Sequence, residues 1–181
     1  MNTNKLVAGD KFPKINVKTL GGDEITLGIP KNGATWQMVV VYRGKHCPLC
    51  TKYLAQIAEM KVAFLEAGVD IVAVSADTEE KAKIQTQDKL GLIFDIGYDL
   101  SIEQMQELGV YISNPRSSQE TDRPFAEPGL FVVNEDFNLH VVDISNNPFV
   151  RPELNTLLSG LNWIRDPKNN YPIRGTYKKE S

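Results

Sequence analysis

Residues 37–42, Gln-Met-Val-Val-Val-Tyr, pass through Met38, Val39, Val40 and Val41 without a polar interruption. A strand with that pattern is covered on both faces of its sheet. The short link Arg43-Gly44-Lys45-His46 follows, and then Leu49, Tyr53, Ile57, Met60 and Phe64 recur at spacings of four and three. That spacing draws an apolar stripe along a helix ending near Gly68. Residues 69–74, VDIVAV, read as a second buried strand. A strand, an amphipathic helix and another strand therefore form the centre of the chain, and the rest must cover that sheet.

The flanking segments keep the same rhythm. Residues 15–20 and 24–27 alternate in character around Gly21-Gly22-Asp23, the turn chemistry of an N-terminal β-hairpin. Asp77 with Glu80 three residues on predicts a capping box and a helix to about Leu90. Residues 93–98 predict a short strand, and Ser101 with Gln104 a second capping box opening a helix to Leu108. Residues 111–127, rich in Asn, Pro, Ser, Asp and Arg, read as a loop long enough to be functional or mobile rather than a simple connection. Residues 130–133 and 139–144 flank Asn134-Glu135-Asp136 as an antiparallel hairpin, and residues 152–164 predict the last helix. The expected fold is α/β, an α+β sandwich with a central mixed β-sheet flanked by helices. Residues 1–165 form the domain, and residues 166–181 an extended C-terminal tail docked by Tyr171, Pro172 and Ile173.

Composition narrows the function. At 181 residues a single domain buries roughly 70% of the surface of its unfolded chain, so a full core forms without disulfides. With 20 Lys and Arg against 23 Asp and Glu, evenly spread, the net charge of −3 gives no surface for nucleic acid. Residues 1–6 are polar and no apolar run approaches the roughly 18 residues of a membrane span, so the expectation is a cytoplasmic protein with no membrane partner. Thiols stay reduced there, which makes the only two cysteines a reactive or metal-binding device rather than a staple.

Cys47-Pro48-Leu49-Cys50 sits where the buried strand gives way to the amphipathic helix, with both sulfurs on the first helical turn. Free backbone N–H groups and the positive end of the helix favour a thiolate, and Arg43 and Lys45 add positive charge. Pro48 suits the first helical position, where no N–H is needed. A zinc site needs four ligands, and the Cys and His donors are only Cys47, Cys50, His46 and His140. Covalent haem is excluded because Thr51 stands where a His would follow the second cysteine. No metal and no bound cofactor is expected. Trp36 and Trp163 read as packing residues, and His140 as a solvent-facing strand residue.

The run VVVYRGKHCPLC at 39–50, with EPGLFVVNEDFNLHVVDISNNPFVRPEL at 127–154, resembles the peroxiredoxin-like branch of the alkyl hydroperoxide reductase and thiol-specific antioxidant family over roughly residues 5–165. The resemblance implies a thioredoxin-like fold and a thiol-dependent antioxidant oxidoreductase that reduces hydroperoxides. It also implies a thioredoxin-like or glutathione reductant and a homodimer as the common family assembly. Peroxiredoxins carry Thr-x-x-Cys at this helix start, so Cys50 matches their attacking cysteine and Cys47 their threonine. Thioredoxins attack with the first cysteine, which is Cys47. The strand that begins Arg-Gly-Leu-Phe in typical peroxiredoxins appears here as Pro128-Gly129-Leu130-Phe131. The peroxide-orienting arginine is missing, and Arg43 and Arg123 are the candidates to replace it. Thioredoxins have a proline at this place, so the resemblance implies a cis Glu127–Pro128 bond. Glu127 beside it reads either as a proton acceptor near the cysteines or as a plain turn carboxylate. His46 is a candidate to stabilise Cys47 or to protonate a leaving thiolate. The stretch around Asn146-Asn147-Pro148 and Arg151-Pro152 reads as ending a strand and starting the last helix. Two other readings stay open: a protein disulfide reductase attacking with Cys47, and a thiol-based metal carrier or redox sensor.

Overall fold

The computed structural model describes residues 4–92 and 94–178. Its centre is β3 (Trp36–Val41), whose six residues are all buried. Met38 and Val40 point into one apolar cluster with Leu54, Ile57 and Phe64, while Val39 and Val41 point into another with Met105, Leu108 and Phe131. The unbroken apolar run is thus the sum of two alternating faces, each with its own core.

The helix α1 (Pro48–Glu66) lies on the first face, followed by β4 (Val69–Val74), which pairs parallel to β3. β5 (Asp95–Tyr98) pairs parallel to β4, and the hairpin of β1 (Asn16–Thr19) and β2 (Glu24–Thr26) adds antiparallel to β5. On the other side, β8 (Gly129–Val133) pairs antiparallel with β3 and with β9 (Leu139–Ile144). The seven strands run in the order β2-β1-β5-β4-β3-β8-β9, a mixed sheet. α4 (Leu154–Arg165) packs beside α1, burying Leu154 and Leu161 in the same cluster. α3 (Ile102–Glu107) covers the opposite face through Met105.

The capping box at Ser101 and Gln104 forms, with both reciprocal bonds in place. The earlier helix start is shifted: Thr78, not Asp77, caps α2 (Glu79–Lys83) by accepting from the Lys81 N–H at 3.3 Å. Asp77 is unavailable because its carboxylate accepts from the backbone N–H of Lys45 at 2.7 Å. Beyond α2 the chain widens into a π-helical turn, Ile84–Asp88. Its buried Gln85 donates to the Gly44 carbonyl at 3.0 Å and to Thr51 Oγ1 at 2.9 Å, tying the link after β3 to α1. Ile93, the expected start of the strand that becomes β5, lies outside the described residues.

Within residues 111–127 the structure adds two short strands, β6 (Ile112–Ser113) and β7 (Phe125–Ala126), paired antiparallel. His140 does not face solvent freely: it is half-buried, with its ring 4.7 Å from that of Trp36. At this end of β3 lies a hollow of about 650 Å³ lined by Trp36, His140, Arg165, Tyr171, Pro172 and Ile173. It is larger than the hollow lined by Lys45, His46, Asp77 and Lys81 and the one lined by Leu49, Tyr53 and Arg151, yet the length of β3 separates it from the cysteines. Among the described residues no helix is long and apolar enough to cross a membrane.

Candidate active site

β3 delivers the chain to the site, and the link of residues 43–46 turns it into α1. Gly44 makes that turn possible. Its φ is +135°, and a Cβ there would stand 2.6 Å from Asp77 Oδ2, so both conformation and space require glycine. Cys47 then sits at the N-cap with extended backbone, and its Sγ accepts from the Cys50 N–H at 3.2 Å. Sulfur thus takes the place of the capping oxygen usual at this position. Pro48 occupies the start of the helix, and no acidic residue lies in the first turn to oppose an anion. Both cysteines are free thiols, and both are buried.

A guanidinium that the sequence reading did not assign to the site spans the two sulfurs. Arg151, in the connection between β9 and α4, places Nη2 2.8 Å from Cys50 Sγ and 3.8 Å from Cys47 Sγ. Its Nε donates to the Pro148 carbonyl at 3.2 Å, and its guanidinium lies 5.1 Å from the centre of the Tyr53 ring. Tyr53 is fixed in turn by donating from its hydroxyl to the Pro152 carbonyl at 2.7 Å. A stacked, hydrogen-bonded arginine of this kind is held in one orientation.

The other candidates separate into those that reach the dithiol and those that do not. Arg43 stands beside it: Nε forms an ion pair with Glu127 Oε2 at 3.1 Å, the guanidinium lies 4.7 Å from the Phe125 ring centre, and the side chain helps to lower the Cys47 pKa. Glu127 is only 3% exposed, and its second oxygen accepts from Ser113 Oγ at 2.8 Å. It therefore acts as the anchor of Arg43. Arg123 does not reach the cysteines; it lies on the flank, 3.4 Å from Asp99 Oδ1 and 3.3 Å from Asp122 Oδ1. His46 packs its ring 4.5 Å from that of Phe125 and makes no hydrogen bond to either sulfur. Burial, then the Arg43 charge, push its pKa down. The imidazole is accordingly neutral at pH 7 and does not stabilise Cys47 by charge.

The expected cis bond before Pro128 is absent; no cis peptide bond occurs among the described residues. The Glu127 N–H donates to the Tyr111 carbonyl at 2.7 Å, and the Pro128 carbonyl accepts from the Ser145 N–H at 3.0 Å. The chain thus runs extended from β7 into β8, which a trans bond accommodates. Pro128 instead lines a small cavity behind Arg151, with Tyr53, Leu130 and Asp143.

These neighbours divide one proton unequally. The Cys47 pKa falls to about 6, first because Cys50 hydrogen-bonds to it, then through the Cys50 N–H, the Arg151 charge and Arg43, against the opposing effect of burial. Cys50 is driven in the other direction by burial and by its hydrogen bond with Cys47, with Arg151 opposing. Distance alone would give Arg151 to Cys50. The Cys50 backbone N–H, which donates to Cys47 Sγ at 3.2 Å, favours the thiolate on Cys47. Among the described residues no group of three or more His, Cys, Asp or Glu side chains is placed to hold a metal ion. His140 lies at the far end of β3 from the cysteines.

A mixed sheet with a Cys-x-x-Cys turn at the junction of its central strand and first helix defines a thioredoxin-like thiol oxidoreductase. Residues 8–142 match the AhpC/TSA family, and the chain belongs to that family of thiol-dependent peroxidases. No curated protein sequence matches it. Among solved structures it is similar to a cysteine-to-serine mutant of the peroxiredoxin 6 of Arenicola marina, with a TM-score of 0.74 and 18% identity over 90% of this chain and 75% of that one. The peroxidoxin BcpB of Mycobacterium tuberculosis gives 0.72 and 17% over 89% and 99%. The AhpC of Mycobacterium bovis gives 0.71 and 18% over 97% and 99%.

Proposed function

We propose that the protein reduces hydroperoxides with Cys47 as the attacking thiolate and Cys50 as the resolving thiol, and that Arg151 takes the part of the arginine missing at Pro128. The observation that carries this reading is the Arg151 guanidinium within 2.8 Å and 3.8 Å of the two sulfurs. A cation at that place polarises the O–O bond and stabilises the oxygen that leaves. The family match favours Cys50 for the attack, and the protonation of the pair favours Cys47.

The Cys47 thiolate attacks the terminal peroxide oxygen; an S–O bond forms and the O–O bond breaks. The alkoxide or hydroxide takes the Cys50 proton and leaves as alcohol or water. The Cys50 thiolate then attacks the sulfenic sulfur, closing the disulfide and expelling hydroxide, which solvent protonates. Two electrons have passed from the dithiol to the peroxide. A thioredoxin-like or glutathione reductant restores the dithiol by exchange through a mixed disulfide. A reducing compartment such as the cytoplasm suits a site that starts each cycle as two free thiols.

The test is stoichiometry. Titrating the reduced protein with hydrogen peroxide should consume both thiols per peroxide and leave an intramolecular disulfide that a dithiol reverses. Loss of peroxide without loss of thiols would contradict the reading.

A further inference from the structure

Ala82, Gln85 and Thr86 fall at spacings of three and four and are all buried, Gln85 with 1% of its surface exposed. The inner face of this segment therefore carries an amide and a hydroxyl where packing asks only for apolar groups. Thr86 satisfies its own burial by donating to the Ala82 carbonyl at 2.7 Å. Gln85 bonds instead to distant parts of the chain, and its Oε1 has no partner among the described residues. A leucine would fill nearly the same volume without a buried, unpaired acceptor. The amide is thus accounted for by what its nitrogen holds, not by the stability of its own segment.

That nitrogen governs both backbone groups of Cys47. The Gly44 carbonyl, which accepts from Gln85 Nε2 at 3.0 Å, also accepts from the Cys47 N–H at 3.1 Å. Thr51 Oγ1, which accepts from the same Nε2 at 2.9 Å, donates to the Cys47 carbonyl at 3.4 Å. The N–H and the C=O of Cys47 are each one hydrogen bond removed from a single amide nitrogen, whose two protons are both used. Gln85 lies in the π-helical turn, where the Lys89 N–H reaches the Ile84 carbonyl at 3.1 Å, and such turns recur at functional sites. What the two bonds hold is the extended backbone of Cys47, φ −110° and ψ 100°, in which Sγ accepts the Cys50 N–H.

We propose that Gln85 is a positioning residue for the dithiol: by fixing the Cys47 backbone from both sides, it keeps Sγ at the N-cap of α1, where the sulfur carries the thiolate. The inference rests on the reading of Cys47 as the attacking thiolate and names what holds it in place. Gln85 bonds to neither sulfur among the described residues. The titratable and charged groups that act on Cys47 are Cys50 of α1, Arg43 of the link and Arg151 of the loop before α4, while His46, next in the chain, is turned to Phe125. None of them is removed when Gln85 is replaced; only the place of the sulfur among them changes.

The test is the pH dependence of Cys47 alkylation by iodoacetamide in the full chain, read beside the single-turnover reaction with hydrogen peroxide, for Gln85→Leu, Thr51→Val and Thr51→Ser. Gln85→Leu should raise the midpoint from its value of about 6 by about one unit, so that a rate following the thiolate falls about tenfold at pH 5 but only about twofold at pH 7. Thr51→Val, which keeps the volume and loses the hydroxyl, should move the midpoint the same way. Thr51→Ser, which keeps the hydroxyl, should leave it at the wild-type value. The midpoint belongs to the folded molecules, so a smaller folded fraction does not mimic the shift, and if Gln85→Leu does not fold, the two Thr51 variants decide. An unmoved midpoint in Gln85→Leu and Thr51→Val, with the rate lowered equally at both pH values, would make Gln85 a structural tie and overturn the assignment. The predicted shifts in a protein whose wild type reacts with peroxide no faster than free cysteine would support the assignment and overturn the peroxidase reading.

Discussion

Arg151 Nη2 stands 2.8 Å from Cys50 Sγ although the two residues are 101 positions apart. The contact closes the loop between β9 and α4 onto the first turn of α1, and it supplies the cation that Pro128 does not. Arg151→Ala should lower the second-order rate with hydrogen peroxide by about a hundredfold, comparable to losing one fixed donor to a developing oxyanion. Arg151→Lys should recover only part of it, because an ammonium is a point charge without the planar fork. Stopped-flow kinetics of the reduced variants would check both.

The lowered Cys47 pKa has a direct readout. Thiol reactivity requires the thiolate, so alkylation by iodoacetamide should rise as pH increases through about 6 and then level off. The profile should vanish in Cys47→Ser. In Cys50→Ala, which removes the first cause of the shift, the midpoint should move upward toward that of an ordinary thiol.

Glu127 acts through Arg43. It is almost fully buried and holds Arg43 Nε at 3.1 Å, so removing it leaves a largely buried guanidinium without its partner. Glu127→Ala should destabilise the fold by about 3 kcal/mol in urea unfolding. The same variant should raise the Cys47 midpoint, because Arg43 is one of the groups that lower it. A purely structural role would leave that midpoint in place.

Gly44 tests the geometry of the link itself. Gly44→Ala places a Cβ 2.6 Å from Asp77 Oδ2 at a φ of +135°. The expected cost is about 2 kcal/mol, visible as a lower Tm. Since Asp77 holds the Lys45 N–H, and Gln85 the Gly44 carbonyl, peroxide reactivity should fall with it.

The sheet was legible because β3 and β4 are buried on both faces, which leaves an unbroken apolar run in the chain. Ser101 and Gln104 were legible as a cap because both bonds are local. Asp77 misled because an aspartate and a threonine in succession are both good caps, and only the tertiary bond from the Lys45 N–H decides between them. The dithiol was visible in its spacing. Arg151 was hidden in a segment whose Pro and Asn content accounts for a turn and a helix start by itself. Nothing local says that this turn folds onto residues a hundred positions earlier, although an arginine amid Pro148, Phe149, Val150 and Pro152 was a signal available to be read. The cis-proline expectation came from the thioredoxin comparison and met a strand that the bonds at Glu127 and Pro128 keep extended.

The central claim is that the thiolate meeting peroxide is Cys47, and single-turnover stopped flow of Cys47→Ser and Cys50→Ser with hydrogen peroxide tests it most directly. Serine at position 50 still offers a hydroxyl donor to Cys47. Cys50→Ser should therefore react far faster than free cysteine and halt as a sulfenic acid that dimedone traps on Cys47, while Cys47→Ser should react no faster than free cysteine. Fast sulfenic acid formation on Cys50 in Cys47→Ser, with Cys50→Ser inert, would contradict the account.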